Sequence, residues 1–147
     1  MVDPEKVRFY LRDHAELNFL LNETEQFSDE EIEIFDVDVR DELVLQIPAL
    51  IAQKDNIHDI IVTYGIIGKL LEAEAQRENR NQMTIGDDNV GQIDYSNKAD
   101  KYFSIASSYN QKALQLAQNM AASSFYRDTW GDVGLASSDY ELFFGSD

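Results

Sequence analysis

At 147 residues the chain has the length of one ordinary domain, enough for folding to take about 68–70% of the unfolded chain's surface out of water. Hydrophobic residues at 44% and charged residues at 27% are globular proportions, which argues against disorder throughout. The departure is in sign: 28 acidic against 12 basic side chains give a formal net charge of -16, which repels phosphate backbones and anionic lipid headgroups and disfavours wrapping of nucleic acid.

In chain order, Asp3-Pro4-Glu5 reads as a helix start. Asp3 can cap, Pro4 suits the first helical position, and Glu5 meets the positive end of the dipole. Val7, Tyr10, Leu11 and His14 follow at helical spacing, and Leu17, Phe19, Leu20 and Leu21 supply an apolar anchor before a polar loop from Asn22 to Gln26. Ser28 and Glu31 then form a capping box, with Phe27 and Ile32 where a hydrophobic staple needs them. A second helix is expected from there. Its body carries two patterns: Ile32, Phe35, Val39 and Leu43 fit a helix, whereas the β-branched Ile32, Ile34, Val37 and Val39 partly alternate like a strand. Pro48 ends or kinks this segment near Ile47.

A third helix is predicted from a cap at Asn56, with Ile60, Ile61, Tyr64, Ile67, Gly68, Leu71 and Ala75 as its apolar stripe. Gly65 and Gly68 inside it predict a close approach by another element, since interior glycine costs a helix about 0.8–1.0 kcal/mol against alanine. The polar stretch from Arg77 to Asn97 reads as a long loop. A fourth helix is predicted from Asp94 or Ser96, carrying Ala99, Phe103, Ala106, Tyr109, Ala113, Leu116, Ala117 and Met120. Its alternation of alanine with large apolar residues suits close pairing with the third helix.

From Ser123 onward the composition turns to Gly, Ser, Asp and aromatics without helical or strand period. Phe125, Tyr126, Trp130, Tyr140, Phe143 and Phe144 are the candidate interface residues: large apolar anchors in such a segment either dock on a partner or fold back on their own domain. The expected architecture is all-α, about four helices built on an antiparallel helix hairpin over residues 1–122, with an extended aromatic-rich arm over 123–147.

Residues that carry chemistry are sparse. The absence of cysteine removes disulfides, thiolate nucleophiles and cysteine zinc sites. His14 and His58 lie far apart without partners at metal-ligand spacing. Asp36-Val37-Asp38 resembles the opening of an EF-hand, but Asp41 and Ile47 stand where that loop needs Gly and Glu, and Asp87-Asp88-Asn89 fails likewise at Lys98. No glycine-rich phosphate loop and no Ser, His and Asp in an interpretable order support nucleotide binding or acyl transfer. Asn22-Glu23-Thr24 fits the glycosylation pattern, but the charged start Met1-Val2-Asp3-Pro4-Glu5-Lys6 does not read as a secretory signal. No apolar run approaches the roughly 18 residues of a membrane span. The expectation is a protein made in the cytoplasm that is not an enzyme, takes no cofactor or metal, and has no membrane partner.

The order of the elements resembles the head-to-tail adaptor (connector) proteins of tailed bacteriophages. The matching stretches are Leu11-Arg12-Asp13, Phe27-Ser28-Asp29-Glu30-Glu31-Ile32, Ile47-Pro48-Ala49, Ile60 to Leu71 with Tyr64-Gly65, and Ala99-Asp100-Lys101-Tyr102-Phe103 running to Met120. The β-branched run from Ile32 to Val39 and the polar stretch from Arg77 to Asn97 depart from that family's pattern. The resemblance implies a structural protein of the virion neck: a homo-oligomeric ring, commonly of twelve copies, seated between the portal and a tail or neck protein. DNA would pass through that ring without specific binding, and carboxylates lining the channel would repel the duplex rather than hold it. The rival reading is a small acidic regulator or DNA mimic that binds a basic protein. Between Asp13 and Glu42 the only base is Arg40, whereas Lys69, Arg77, Lys98, Lys101 and Lys112 lie on the later helices.

Overall fold

A computed structural model describes residues 1–14, 16, 18, 25–85 and 96–131, and the side chains of all of these except 82–85, 96–97 and 124–131. The described residues are all helical in their regular structure. In chain order they form α1 (Pro4–Leu11), α2 (Asp29–Gln46), consecutive 3-10 turns over Pro48–Asn56, α3 (Asp59–Ile85) and α4 (Ser96–Gly131).

Each helix starts where its local chemistry sets it. In α1 the Asp3 carboxylate accepts from Glu5 N at 3.1 Å and Pro4 follows it, while Arg12 in the left-handed region (φ 57°) closes the last turn. In α2 the capping box is complete. Ser28 Oγ accepts from Glu31 N at 3.2 Å and Glu31 Oε2 accepts from Ser28 N at 2.9 Å, with Phe27 and Ile32 both buried as the staple. This start settles the ambiguous body as helix. Ile32, Asp36, Val39, Arg40 and Leu43 take the inner face, which leaves Ile34 and Val37 on the outer one. Pro48 stops α2, and the 3-10 turns that follow drop Leu50 fully into the core.

The core is centred on α3, whose Ile61, Val62, Ile66, Ile67 and Leu70 are all buried. Val7, Ile32, Val39, Leu43 and Leu50 pack on it from one side and Ala113, Ala117 and Ala121 of α4 from another. Each fully buried Val, Leu or Ile stabilises the fold by about 1.5–3 kcal/mol relative to exposure. The predicted stripe on α3 is wider than expected: Ile61, Ile67, Gly68 and Ala75 are buried as predicted, Val62, Ile66 and Leu70 join them, and Ile60 alone of the stripe faces solvent.

α3 and α4 form the most extensive helix pair. The start of α4 meets the later part of α3, and the middle of α4 meets its earlier part. Tyr64 meets Tyr109 with ring centroids 5.8 Å apart, Asn110 donates to Glu72 Oε1 at 2.7 Å, and Lys98 donates to Glu78 Oε1 at 3.1 Å. Both glycines of α3 serve as contact points, as expected: Val39 of α2 occupies the space above Gly65, and Asn110 of α4 that above Gly68. α2 and α4 therefore reach α3 from different sides.

Three sequence expectations change here. The stretch from Arg77 to Ile85, read as loop, continues α3, and residues 86–95 lie outside the described part. Phe103, read as core, stays partly exposed at the edge of α4, because the buried seam is made by Ala99, Ala106, Ala113 and Ala117. Helix is also maintained beyond residue 122, to Gly131. From the pairing register the first turn of α3 lies opposite roughly residue 117, so α4 runs on for roughly 20 Å past it at about 1.5 Å per residue.

Candidate interaction surfaces

The buried polar groups hold the fold together. The Asp13 carboxylate accepts from Gln26 N at 2.8 Å, Phe27 N at 3.0 Å and Asn18 Nδ2 at 2.6 Å, which ties the end of α1 to the approach to α2. The nearly buried Arg8 donates to Phe27 O at 3.1 Å and pairs with Glu5, Glu25 and Asp29. Burial alone would lower its pKa. The hydrogen bond to Asp29 and the charges of Glu25, Asp29 and Glu5 outweigh that and hold it above its ordinary value. Asp36 accepts from Arg40 Nε and from Val2 N, each at 2.6 Å, and Arg40 reaches Lys54 O at 3.1 Å. One carboxylate thus anchors the chain's start, α2 and the 3-10 turns.

Shallow grooves open on the surface among the described residues. One, about 440 Å³, lies between α1 and the start of α3, where Phe9, Tyr10, Ile60 and Thr63 are rimmed by Asp3, Glu5, Lys6 and Asp59. Tyr10 continues a row of aromatic contacts through Tyr64 to Tyr109, and the Lys112 ammonium lies 5.1 Å above the Tyr64 ring. A second groove of about 300 Å³ runs between α2 and α4 over Gly65 and Lys69. A third, about 290 Å³, has Ile34, Phe35 and Leu70 beside Arg77 and Arg80. Among the described residues no group of three or more His, Asp or Glu is placed to hold a metal ion, and no helix is long and apolar enough to cross a membrane.

Several large apolar side chains lie exposed on faces that no other described residue covers. Ile34, Val37 and Leu45 are 61%, 50% and 79% exposed on the outer face of α2, Ile51 is exposed on the 3-10 turns, and Phe9, Tyr10 and Ile60 border the first groove. The sequence reading missed this α2 surface, although the strand-like positions Ile34 and Val37 carried its signal: they are the apolar residues left over once the helical set is assigned to the core. Of the candidate interface residues, Phe125, Tyr126 and Trp130 stand at helical backbone positions of α4 rather than on an extended segment, and their side chains are not among those described. Tyr140, Phe143 and Phe144 lie outside the described residues. No known protein family, curated protein or solved structure matches the chain.

Proposed function

We propose that this chain is a structural assembly protein, acting as a head-to-tail adaptor whose copies form a ring between a portal and a tail or neck protein while DNA passes through. The observation that carries the reading is the presence of separate uncovered apolar faces on one small acidic domain, Ile34, Val37 and Leu45 on α2 and Phe9, Tyr10 and Ile60 at α1 and α3. A subunit between neighbours needs more than one contact surface, and scattered single exposed side chains would not supply them. The close α3 and α4 pair serves as the rigid hairpin of the domain, and α4 projects past it toward the aromatic segment beyond. The resemblance in element order agrees with this role. The net charge of -16 suits a wall along which a polyanion slides.

The acidic-regulator reading draws its support from α2, where Arg40 is the single base among eight acids and is itself engaged by Asp36. Native mass spectrometry of the protein, alone and mixed with the candidate portal encoded near its gene, separates the two. Stoichiometric addition of many copies to the portal supports the adaptor. A free monomer that ignores the portal and captures a basic protein supports the regulator.

A further inference from the structure

The outer faces of α2 and α4 carry the same spacing with opposite charge. On α2, Glu30, Ile34, Val37 and Asp41 fall at intervals of four, three and four residues. On α4, Lys101, Ile105, Ser108 and Lys112 fall at the same intervals. Such spacing keeps each set on one helix face, and all eight side chains are exposed. In both sets the end charges stand eleven residues apart, about 16 Å along the axis.

We infer that these two stripes bind each other between copies: the acidic, apolar face of α2 in one copy docks on the basic, apolar face of α4 in the next. This contact rests on the reading of the chain as a self-assembling protein and gives that assembly its surfaces. In a side-by-side pairing, Glu30 meets Lys101, Ile34 meets Ile105 and Asp41 meets Lys112. The reversed direction preserves both charge pairs. Ile105 is 47% exposed, and Lys101 is exposed and makes no ion pair among the described residues. Lys112 is steadied over Tyr64 and Asp41 is held by Lys54, with about half of the Asp41 side chain still exposed.

Like does not fit like. α2 on α2 sets acids against acids, and α4 on α4 sets lysines against lysines, at a cost of several kcal/mol for such juxtapositions. The contact is therefore between two different surfaces of the same chain. α2 meets α3 at Gly65 and Lys69, whereas α4 meets it at Tyr64, Gly68 and Glu72, so each copy keeps one surface free when the other is used. Addition of copies through unlike surfaces produces a ring when the rotation closes.

The test is association of the purified chain across a concentration series, by sedimentation and native mass spectrometry, alone and with the candidate portal. Reversing α4 with Lys101→Glu and Lys112→Glu, or reversing α2 with Glu30→Lys and Asp41→Lys, is expected to weaken association about tenfold or more. Mixing the two variants restores it, because each then offers what the other lacks, a rescue that damaged folding cannot imitate. Circular dichroism of each variant checks that the helices are intact. Reversed variants that associate like the wild type, or a mixture no better than its components, overturn the contact while leaving the adaptor reading standing if copies still add to the portal. A wild-type chain that stays monomeric under every condition overturns both.

Discussion

Gly65 and Val39 share one space. An alanine Cβ at position 65 would overlap Val39 Cγ1 and crowd Cγ2, and a buried β-branched side chain has little freedom to turn away. Gly65→Ala is therefore expected to destabilise by about 1–3 kcal/mol despite a helix-propensity gain of about 1 kcal/mol. At Gly68 the overlap is with the end of Asn110, which can swing out by giving up its bond to Glu72. Gly68→Ala should stay within about 1 kcal/mol of the wild type, since the lost hydrogen bond and the helix gain nearly offset. Urea unfolding of the two variants checks the contrast, and equal midpoints would contradict it. A sharper loss is expected at Asp36. Its side chain and that of Arg40 are 5% and 8% exposed, so Asp36→Ala strands a buried guanidinium and the Val2 N–H together. Removal of one partner from such a buried pair costs about 3–5 kcal/mol. The same denaturation experiment reads it, with the exposed Asp38→Ala as the control, expected within about 0.5 kcal/mol.

Among the elements, α4 shows how a regular pattern can mislead. Phe103 sits in the same helical series as Ala99 and Ala106, and its size suggests a core anchor. Two helices that approach closely exclude large side chains from the seam, which alanine fills instead. Ala106→Phe is thus expected to force α3 and α4 apart at about 1–3 kcal/mol, whereas Phe103→Asp should unfold nothing. Thermal unfolding of both variants tests that order, and a greater loss at Phe103 would reverse it. The far end of the same seam is closed by Lys98. Its hydrogen bond to Glu78 raises its pKa against the lowering effect of burial, with Tyr102, Glu78 and Glu74 adding to the rise. The stability it contributes is complete below the ordinary lysine value of about 10.4 and is lost as pH rises through the higher folded value. With half of the side chain exposed the effect is small, so Lys98→Met should lower the unfolding midpoint near neutral pH only slightly and flatten the alkaline limb, the two chains converging at high pH. Helix starts were legible in the sequence because caps are local: Asp3 with Pro4, and Ser28 with Glu31, act within one turn. The 3-10 turns after Pro48 were not legible, since their only strong anchor is Leu50 buried against distant helices. Nor was the extension of α3 to Ile85, because polar residues there still have adequate helix propensity and Glu78 gains Lys98 only through the fold.

At the scale of the whole molecule the described core closes among residues between Val2 and Ala121, and the α4 backbone continues past it to Gly131. A helix that runs past the described core of its domain is well placed to be stabilised by a neighbour. The candidate aromatics divide accordingly: Phe125, Tyr126 and Trp130 ride on that projecting helix, and Tyr140, Phe143 and Phe144 follow it in sequence. A chain ended after Gly131 removes the second group and none of the described core residues. If these aromatics dock on a partner rather than on their own domain, its thermal midpoint is expected to match the full-length chain within about 2 °C. On the proposed adaptor role, with these aromatics as docking anchors, its addition to the portal should fall at least about tenfold. Differential scanning calorimetry and native mass spectrometry on the same two proteins decide it. A lowered midpoint with a broadened transition would place those aromatics in the domain's own fold, whereas an unchanged midpoint with undiminished portal binding would remove them from the interface and leave docking to the projecting helix and the outer faces of α2 and α4.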